Sequence, residues 1–257
     1  MPRHMSKLRR RLFLTVLGLL LLGVMGFGVL FLALRHPRPT GTPGPAADAL
    51  AHAIERAVDT AAFARTGAVR WTFRTEPTHL WDRTRNLSRV RWGKHEVLLD
   101  LHRQDGRAFT DGREVPGEPG KKLVERSYKR FINDSFWLNP LSKLFDEGVT
   151  RSLVQHEGAD ALLVHYGSGG VTPGDSYLWI LDQNQRPRAW RLWVSVLIIP
   201  GAEMTWDAWT QLPTGAWIST SHRLAGAEVV TITNLAAAAT LAELEPGADP
   251  FARLIGE

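Results

Sequence analysis

Cysteine is absent from all 257 residues. No disulfide can therefore staple this fold, no thiolate can hold a metal, and no lipid can be attached through a cysteine. Acidic residues are absent before Asp48, and charge of either sign is absent from residues 12–34. The signatures of common chemistries are missing as well. His95-Glu96 is not followed by a histidine at zinc-protease spacing, and no Gly-x-Ser-x-Gly elbow or phosphate-binding glycine loop occurs. The loop 167–170 (Gly-Ser-Gly-Gly) is not a strand-to-helix turn. These absences argue against a hydrolase, a metalloenzyme and a nucleotide-dependent enzyme, and no catalytic residue, metal ligand or cofactor is assigned.

A nucleic-acid reading fails on the charge distribution. The chain carries 31 Lys and Arg against 26 Asp and Glu. Six of the basic residues and none of the acids fall within residues 1–35, so the remainder is close to neutral. The basicity belongs to the N-terminus, not to a phosphate-binding surface. The cluster Lys121, Lys122, Arg126, Lys129 and Arg130, interspersed with Glu118 and Glu125, reads as the wet face of a helix.

What is there begins with the uncharged run. Residues 12–34 are mostly Leu, Val and Phe, and Arg3, Lys7, Arg9, Arg10 and Arg11 precede them. About 20 apolar residues cross a hydrocarbon core of roughly 30 Å, so the run predicts a membrane-spanning helix. Five cations before the span keep the N-terminus cytoplasmic and send residues 36–257 across. A cleaved signal peptide would have an apolar core of about 7–15 residues and a small-x-small site. Residues 33–35 read Ala-Leu-Arg, so retention as a single-pass anchor is preferred.

The organisation follows as a basic segment 1–11, a span 12–34, a linker 35–45 and an exported domain 46–257. Four prolines and two glycines in residues 36–45 predict a stiff, extended spacer reaching roughly 30 Å. Leu50, Ile54, Val58 and Ala61 predict one amphipathic helix over 46–65. From Ala68 the period becomes two: Val69, Trp71 and Phe73 alternate with polar neighbours, and a second strand covers 97–101. Asp105-Gly106 and Asp111-Gly112 are hairpin signals. A helix over 121–133 and a short one over 141–146 interrupt the strands. Further strands are predicted at 150–157, 161–166, 176–181, 188–199, 203–211, 217–223 and 229–234. Short links between them favour antiparallel meanders. In the hairpin centred on Gly158-Ala159, His156 would oppose Ala161 and His165 would oppose Ser152, too far apart to share a metal.

Ten tryptophans, all beyond the span, are the unusual feature. Trp190, Leu192, Val194, Val196 and Ile198 share one strand face, as do Tyr177, Trp179 and Leu181. Such faces serve either a packed core or an apolar cavity. The residues chosen to line a cavity are Trp71, Phe73, Tyr177, Trp179, Trp190, Leu192 and Val194.

The order of parts resembles the periplasmic lipoprotein carriers of the LolA-like, lipoprotein-sorting superfamily. Residues 135–140 (Ser-Phe-Trp-Leu-Asn-Pro) through 145–149 (Phe-Asp-Glu-Gly-Val) resemble an uncharacterised bacterial envelope branch, as do 172–182 and 188–194. The resemblance covers roughly 50–235. It implies an α+β fold, a curved antiparallel half-barrel wrapped around helices, with room for a lipid or acyl group. The span adds a place on the cytoplasmic membrane with the domain facing the periplasm, a departure from the carriers, which must be soluble to cross between membranes. The carriers' ligand-gating arginine has no clear counterpart; Arg70 and Arg74 are nearest, and the alternation turns both away from Trp71 and Phe73. A binder of hydrophobic ligand leads this reading, and an envelope scaffold with a filled core is the alternative.

Overall fold

The computed structural model describes residues 7–168, 174–195 and 199–256, with side chains for all of these except 7–12, 24, 27, 30, 33 and 34. Arg3, the loop residues 169–170, the motif positions 172–173, and Val196 and Ile198 lie outside the described residues.

Three helices precede the sheet. The first, α1 (Lys7–Leu34), takes in the uncharged run. Among the described residues no helix is long and apolar enough to cross a membrane, several positions within α1 being outside them. The single helix expected over 46–65 is two, α2 (Pro45–Val58) and α3 (Thr60–Arg65). Asp59 separates them at φ 52°, ψ 63°, a left-handed conformation that a short polar side chain tolerates. Its carboxylate then accepts the Ala62 N–H at 2.8 Å, capping α3.

The sheet begins in its own middle. Strand β1 (Ala68–Phe73) is followed outward by β2 (Thr78–Asp82), β3 (Leu87–Trp92), β4 (His95–Asp100), β5 (Asp105–Thr110) and the edge strand β6 (Arg113–Glu114). Helix α4 (Gly117–Leu138) and a 3-10 turn, Pro140–Lys143, carry the chain to the opposite edge. There β7 (Val149–His156) starts an inward path through β8 (Ala159–Tyr166), β9 (Ser176–Leu181), β10 (Pro187–Trp193), β11 (Ala202–Thr205) and β13 (Trp217–Leu224). It ends at β14 (Ala227–Ala238), which pairs with β1, while β12 (Asp207–Gln211) pairs with β13 off this path. Every strand pair among the described residues is antiparallel. The fold is thus mixed α+β, a large open antiparallel sheet with several helices.

One face of this sheet carries the main core. Val69, Trp71, Val90 and Val97 from the first half, and Leu162, Trp179, Trp190 and Ile232 from the second, pack with Ala51 and Ile54 of α2 and Val124 and Phe131 of α4. The other face is covered locally: Phe251, fully buried near the C-terminus, sits on Leu80, Leu87, Leu98 and Phe109. Burying a side chain of this size gains about 1.5–3 kcal/mol. Short helices α5 (Leu241–Leu244) and α6 (Ala252–Ile255) flank that plug.

Several expected boundaries move. Asp105-Gly106 opens β5 and is not itself the turn, which occupies residues 101–104. Asp111-Gly112, both at positive φ, is the turn between β5 and β6, as its composition predicts. The strand expected over 203–211 is two, split at the buried Trp206. Strands β2 and β3 lie where none was predicted, and α4 is longer at both ends than 121–133. His156 faces Ala159 and His165 faces Thr150, because the turn is Glu157-Gly158 at φ 52° and 81°. That left-handed pair suits a two-residue hairpin, and the register moves by two without changing the buried face.

The linker 35–45 is not a free spacer. The His36 N–H donates to the Pro200 carbonyl at 2.9 Å, and the Trp193 indole donates to the His36 carbonyl at 2.8 Å. Arg38 donates to the Ser176 hydroxyl at 3.0 Å, and Thr42 forms a two-way bridge with Leu153 at 2.9 and 2.8 Å. A proline-rich strand has no internal hydrogen bonds, so its backbone groups remain free to pair with a neighbouring sheet.

Candidate functional site

The antiparallel register sets the aromatic residues side by side. Trp190 lies across from Trp179, and Leu192 across from Tyr177. The rings touch: Tyr177 to Trp190 at 4.7 Å and Trp179 to Trp190 at 4.8 Å between centroids. Trp206, from the break between β11 and β12, meets both tryptophans edge to face. Val194, just past β10, is half-buried beside this patch. Trp71 and Phe73 belong to a second patch on the same face, where Trp71 stacks on His79 at 4.6 Å. The seven residues named from sequence therefore all join one core but form two patches.

Helix α4 joins those patches. It starts at the β6 edge and runs over the inner face past β5, β4 and β3 toward β13, and the 3-10 turn after it leads on to the β7 edge. Phe131 packs on Trp71 and Trp81 in the first patch. Phe136 and Trp137 pack on Trp190 in the second. Sequence reasoning missed the part played by Phe136 and Trp137. At five and six residues from Phe131 they lie well to either side of it on the helix, so no single-face period marks them.

Beneath the second patch polar groups are buried without ordinary partners. The indole N–H groups of Trp179, Trp190 and Trp206 have no hydrogen-bond acceptor. Edge-to-face packing turns ring edges toward neighbouring π-faces, which partly offsets the loss. His222 packs on Trp206 at 4.5 Å, and its Nδ1–H donates to the Thr205 carbonyl at 3.1 Å. Its Nε2 then carries a lone pair with no donor. Burial pushes the His222 pKa down to about 4, so the ring is neutral at ordinary pH.

Under α4 in the first half, the His79 Nε2–H donates to Asp134 Oδ2 at 2.8 Å. The Asn133 amide donates to the other carboxylate oxygen at 2.9 Å. Burial lowers the His79 pKa, opposed by the hydrogen bond to Asp134. Above this pair the solvent face of α4 holds a groove of about 560 Å³, lined by Lys122, Glu125, Arg126, Lys129, Arg130, Asn133 and Asp134. Lys129 is paired with Glu125 at 2.6 Å, and Arg130 lies over Trp92 at 4.8 Å. The expected wet face is therefore a grooved cationic surface, with Glu125 paired to Lys129 and Asp134 to His79.

The remaining sequence candidates are occupied in structural roles. Arg70 donates to Glu245 at 2.7 Å, away from Trp71, and Arg74 is exposed in the turn after β1. His95 and His165 share hydrogen bonds with the hydroxyls of Thr110 and Ser176. Among the described residues no three His, Asp or Glu side chains gather where a metal could sit.

No family model matches the chain, and no curated protein matches it. Among solved structures, a DUF1329 family protein from Desulfovibrio piger is similar, with 11% identity and a TM-score of 0.42. The likeness covers 80% of this chain and 96% of that one. At that score nothing is transferred from it.

Proposed function

We propose that this chain is a membrane-anchored, non-enzymatic binding domain for a lipid or acyl-type hydrophobic ligand in a bacterial envelope. The observation that carries the reading is an aromatic sheet face covered by one helix, α4, whose rings touch both halves of the sheet. Movement of α4 uncovers Trp71, Trp81, Tyr177 and Trp190 together, because Phe131, Phe136 and Trp137 cover all four. Each methylene of an entering acyl chain gains ~0.8 kcal/mol. Leaving one buried ring uncovered costs about 3 kcal/mol, so about four methylenes are needed for each ring that α4 no longer covers. The unpartnered indole N–H groups offer donors to a ligand ester or carboxylate.

Anchoring by residues 12–34, with the N-terminus in the cytoplasm and the domain in the periplasm, is the location proposed with it. What supports the anchor is the uncharged run, its basic flank, and the side chains of α1, where Phe13, Leu19 and Met25 stand 60–65% exposed. The LolA-like kinship is part of the same proposal and rests on the motifs at 135–149, 172–182 and 188–194.

The test is lipid analysis of the full chain purified in mild detergent. Stoichiometric lipid, together with a shift of tryptophan emission on adding long-chain fatty acid, supports the reading. Empty protein and unchanged emission overturn it. A specific observation favours a second reading, an envelope scaffold with a filled core: the rings of Trp137, Trp179, Trp190 and Trp206 already occupy one another's faces. Cross-linking in cells to one dominant protein, without lipid, selects it.

A further inference from the structure

We infer that the domain is held directly against the surface of the bilayer by its docked linker, with lipid headgroups as the partner of one rim of the sheet. The inference rests on the membrane-anchor reading above and adds what no apolar run can supply, an orientation.

The geometry is a matter of counting residues. Helical hydrogen bonding continues through the Arg35 N–H, which donates to the Phe31 carbonyl at 3.0 Å. The very next N–H, that of His36, is already bonded to Pro200 at the rim of the sheet. No residue between helix and domain is left over to act as a tether. A flexible linker of ten residues would allow the domain roughly 30 Å of freedom; here the chain is clamped at its first available group.

The clamp has a close-packed part. Gly201 follows Pro200 at φ +75°, and a Cβ placed there would lie 2.6 Å from the His36 carbonyl oxygen. Only glycine fits both the left-handed backbone and that approach. Arg38 and Thr42 extend the attachment to β9 and β7, so the linker crosses the sheet rather than touching it once.

The rim placed this way is chemically suited to headgroups. Arg35 and Arg38 are exposed cations, which phosphates attract. Trp193 is half-buried with its indole N–H tied to the linker, and amphipathic rings of this kind favour the interface of a bilayer. Ile199 and Pro200 complete the rim. The turn between β9 and β10, residues 182–186, marks the other end of the same hairpin, about 20 Å away at 3.3 Å per residue.

The absence of native cysteine allows a clean test on the full chain in lipid nanodiscs. Single variants Pro200→Cys and Gln183→Cys are labelled with a small fluorophore, and the lipids carry a nitroxide near the headgroup. Quenching at position 200 is expected to exceed that at 183 severalfold. Equal, weak quenching at both positions, in protein that stays with the disc, overturns the docked orientation alone. Protein that separates from the discs overturns the anchor and, with it, this inference. Adding Gly201→Val to Pro200→Cys should lower the quenching toward the level at 183, with near-ultraviolet circular dichroism confirming a folded domain. Unchanged quenching in a folded double variant shows that the clamp does not set the orientation.

Discussion

His79, fully buried on β2, donates a hydrogen bond at 2.8 Å to Asp134, a nearly buried carboxylate on α4. This bond ties the helix to the sheet among aromatic rings, with the Asn133 amide on the other carboxylate oxygen. Trp71 stacks on one side of the imidazole and Phe131 packs on its edge.

Replacing Asp134 tests that tie. Asp134→Ala leaves the His79 N–H buried without an acceptor, which costs about 1–3 kcal/mol. Asp134→Asn keeps an acceptor oxygen at the same distance and should cost less than half as much. Urea unfolding of both variants in detergent gives the comparison, and equal losses would show that the hydrogen bond carries no weight.

Acid should weaken the fold through its buried imidazoles. His222 titrates near 4 when folded, against about 6.5 when exposed, so the unfolded chain binds the extra proton across that window. Stability is fully present above 6.5 and is lost as the pH falls toward 4, by on the order of 3 kcal/mol for this one ring. Burial lowers His79 in the same direction. Unfolding midpoints should therefore drop between pH 7 and pH 5, and His222→Asn should flatten the dependence without abolishing it.

Gly120 should behave against its helix propensity. Alanine normally stabilises a helix interior by about 1 kcal/mol relative to glycine. At this position in α4 a Cβ would lie 2.0 Å from the Val115 carbonyl oxygen, so the chain before the helix must move. Gly120→Ala is expected to lower stability by about 1–3 kcal/mol, in line with other overpacked sites. A rise in the thermal midpoint would refute the close approach.

Asp59 combines two functions in one residue. Asp59→Ala removes the cap on α3, worth about 1 kcal/mol, and places a residue with no polar side chain in the left-handed region at a further ~1 kcal/mol. Asp59→Asn retains both properties and should be close to neutral. Asp59→Gly keeps the left-handed backbone without the cap, so where its thermal midpoint falls between those of the Ala and Asn variants decides whether capping or the backbone conformation dominates.

Much of the second half of the sheet was legible because its strands alternate and its turns are short. The buried face of β9 and β10 follows from Tyr177 and Trp190, since a slip of one residue would turn either to the wrong side; a slip of two, as at β7 and β8, leaves the face unchanged. Strands β2 and β3 were not legible: Thr78–Asp82 and Leu87–Trp92 carry His79, Ser88, Arg89 and Arg91 among their apolar positions, and only tertiary contacts explain them. Asp134 provides the partner for His79, and no local pattern could announce that pairing. The break at Asp59 was hidden for the opposite reason, because Leu50, Ile54, Val58 and Ala61 keep a helical period straight through it. The docking of residues 36–42 was hidden too: proline composition predicts an extended backbone but not its neighbour.

Ala68 stands opposite Ala238, so the first strand of the sheet finds one of its two neighbours only in the last. A chain emerging from its N-terminus completes thirteen strands while that central seam stays unzipped, with one edge of β1 bare. Closure is thus a late, long-range step, and such pairings form slowly. A truncation between residues 166 and 227 would leave two half-sheets with no shared strand, and the open seam is where such fragments would stick to one another.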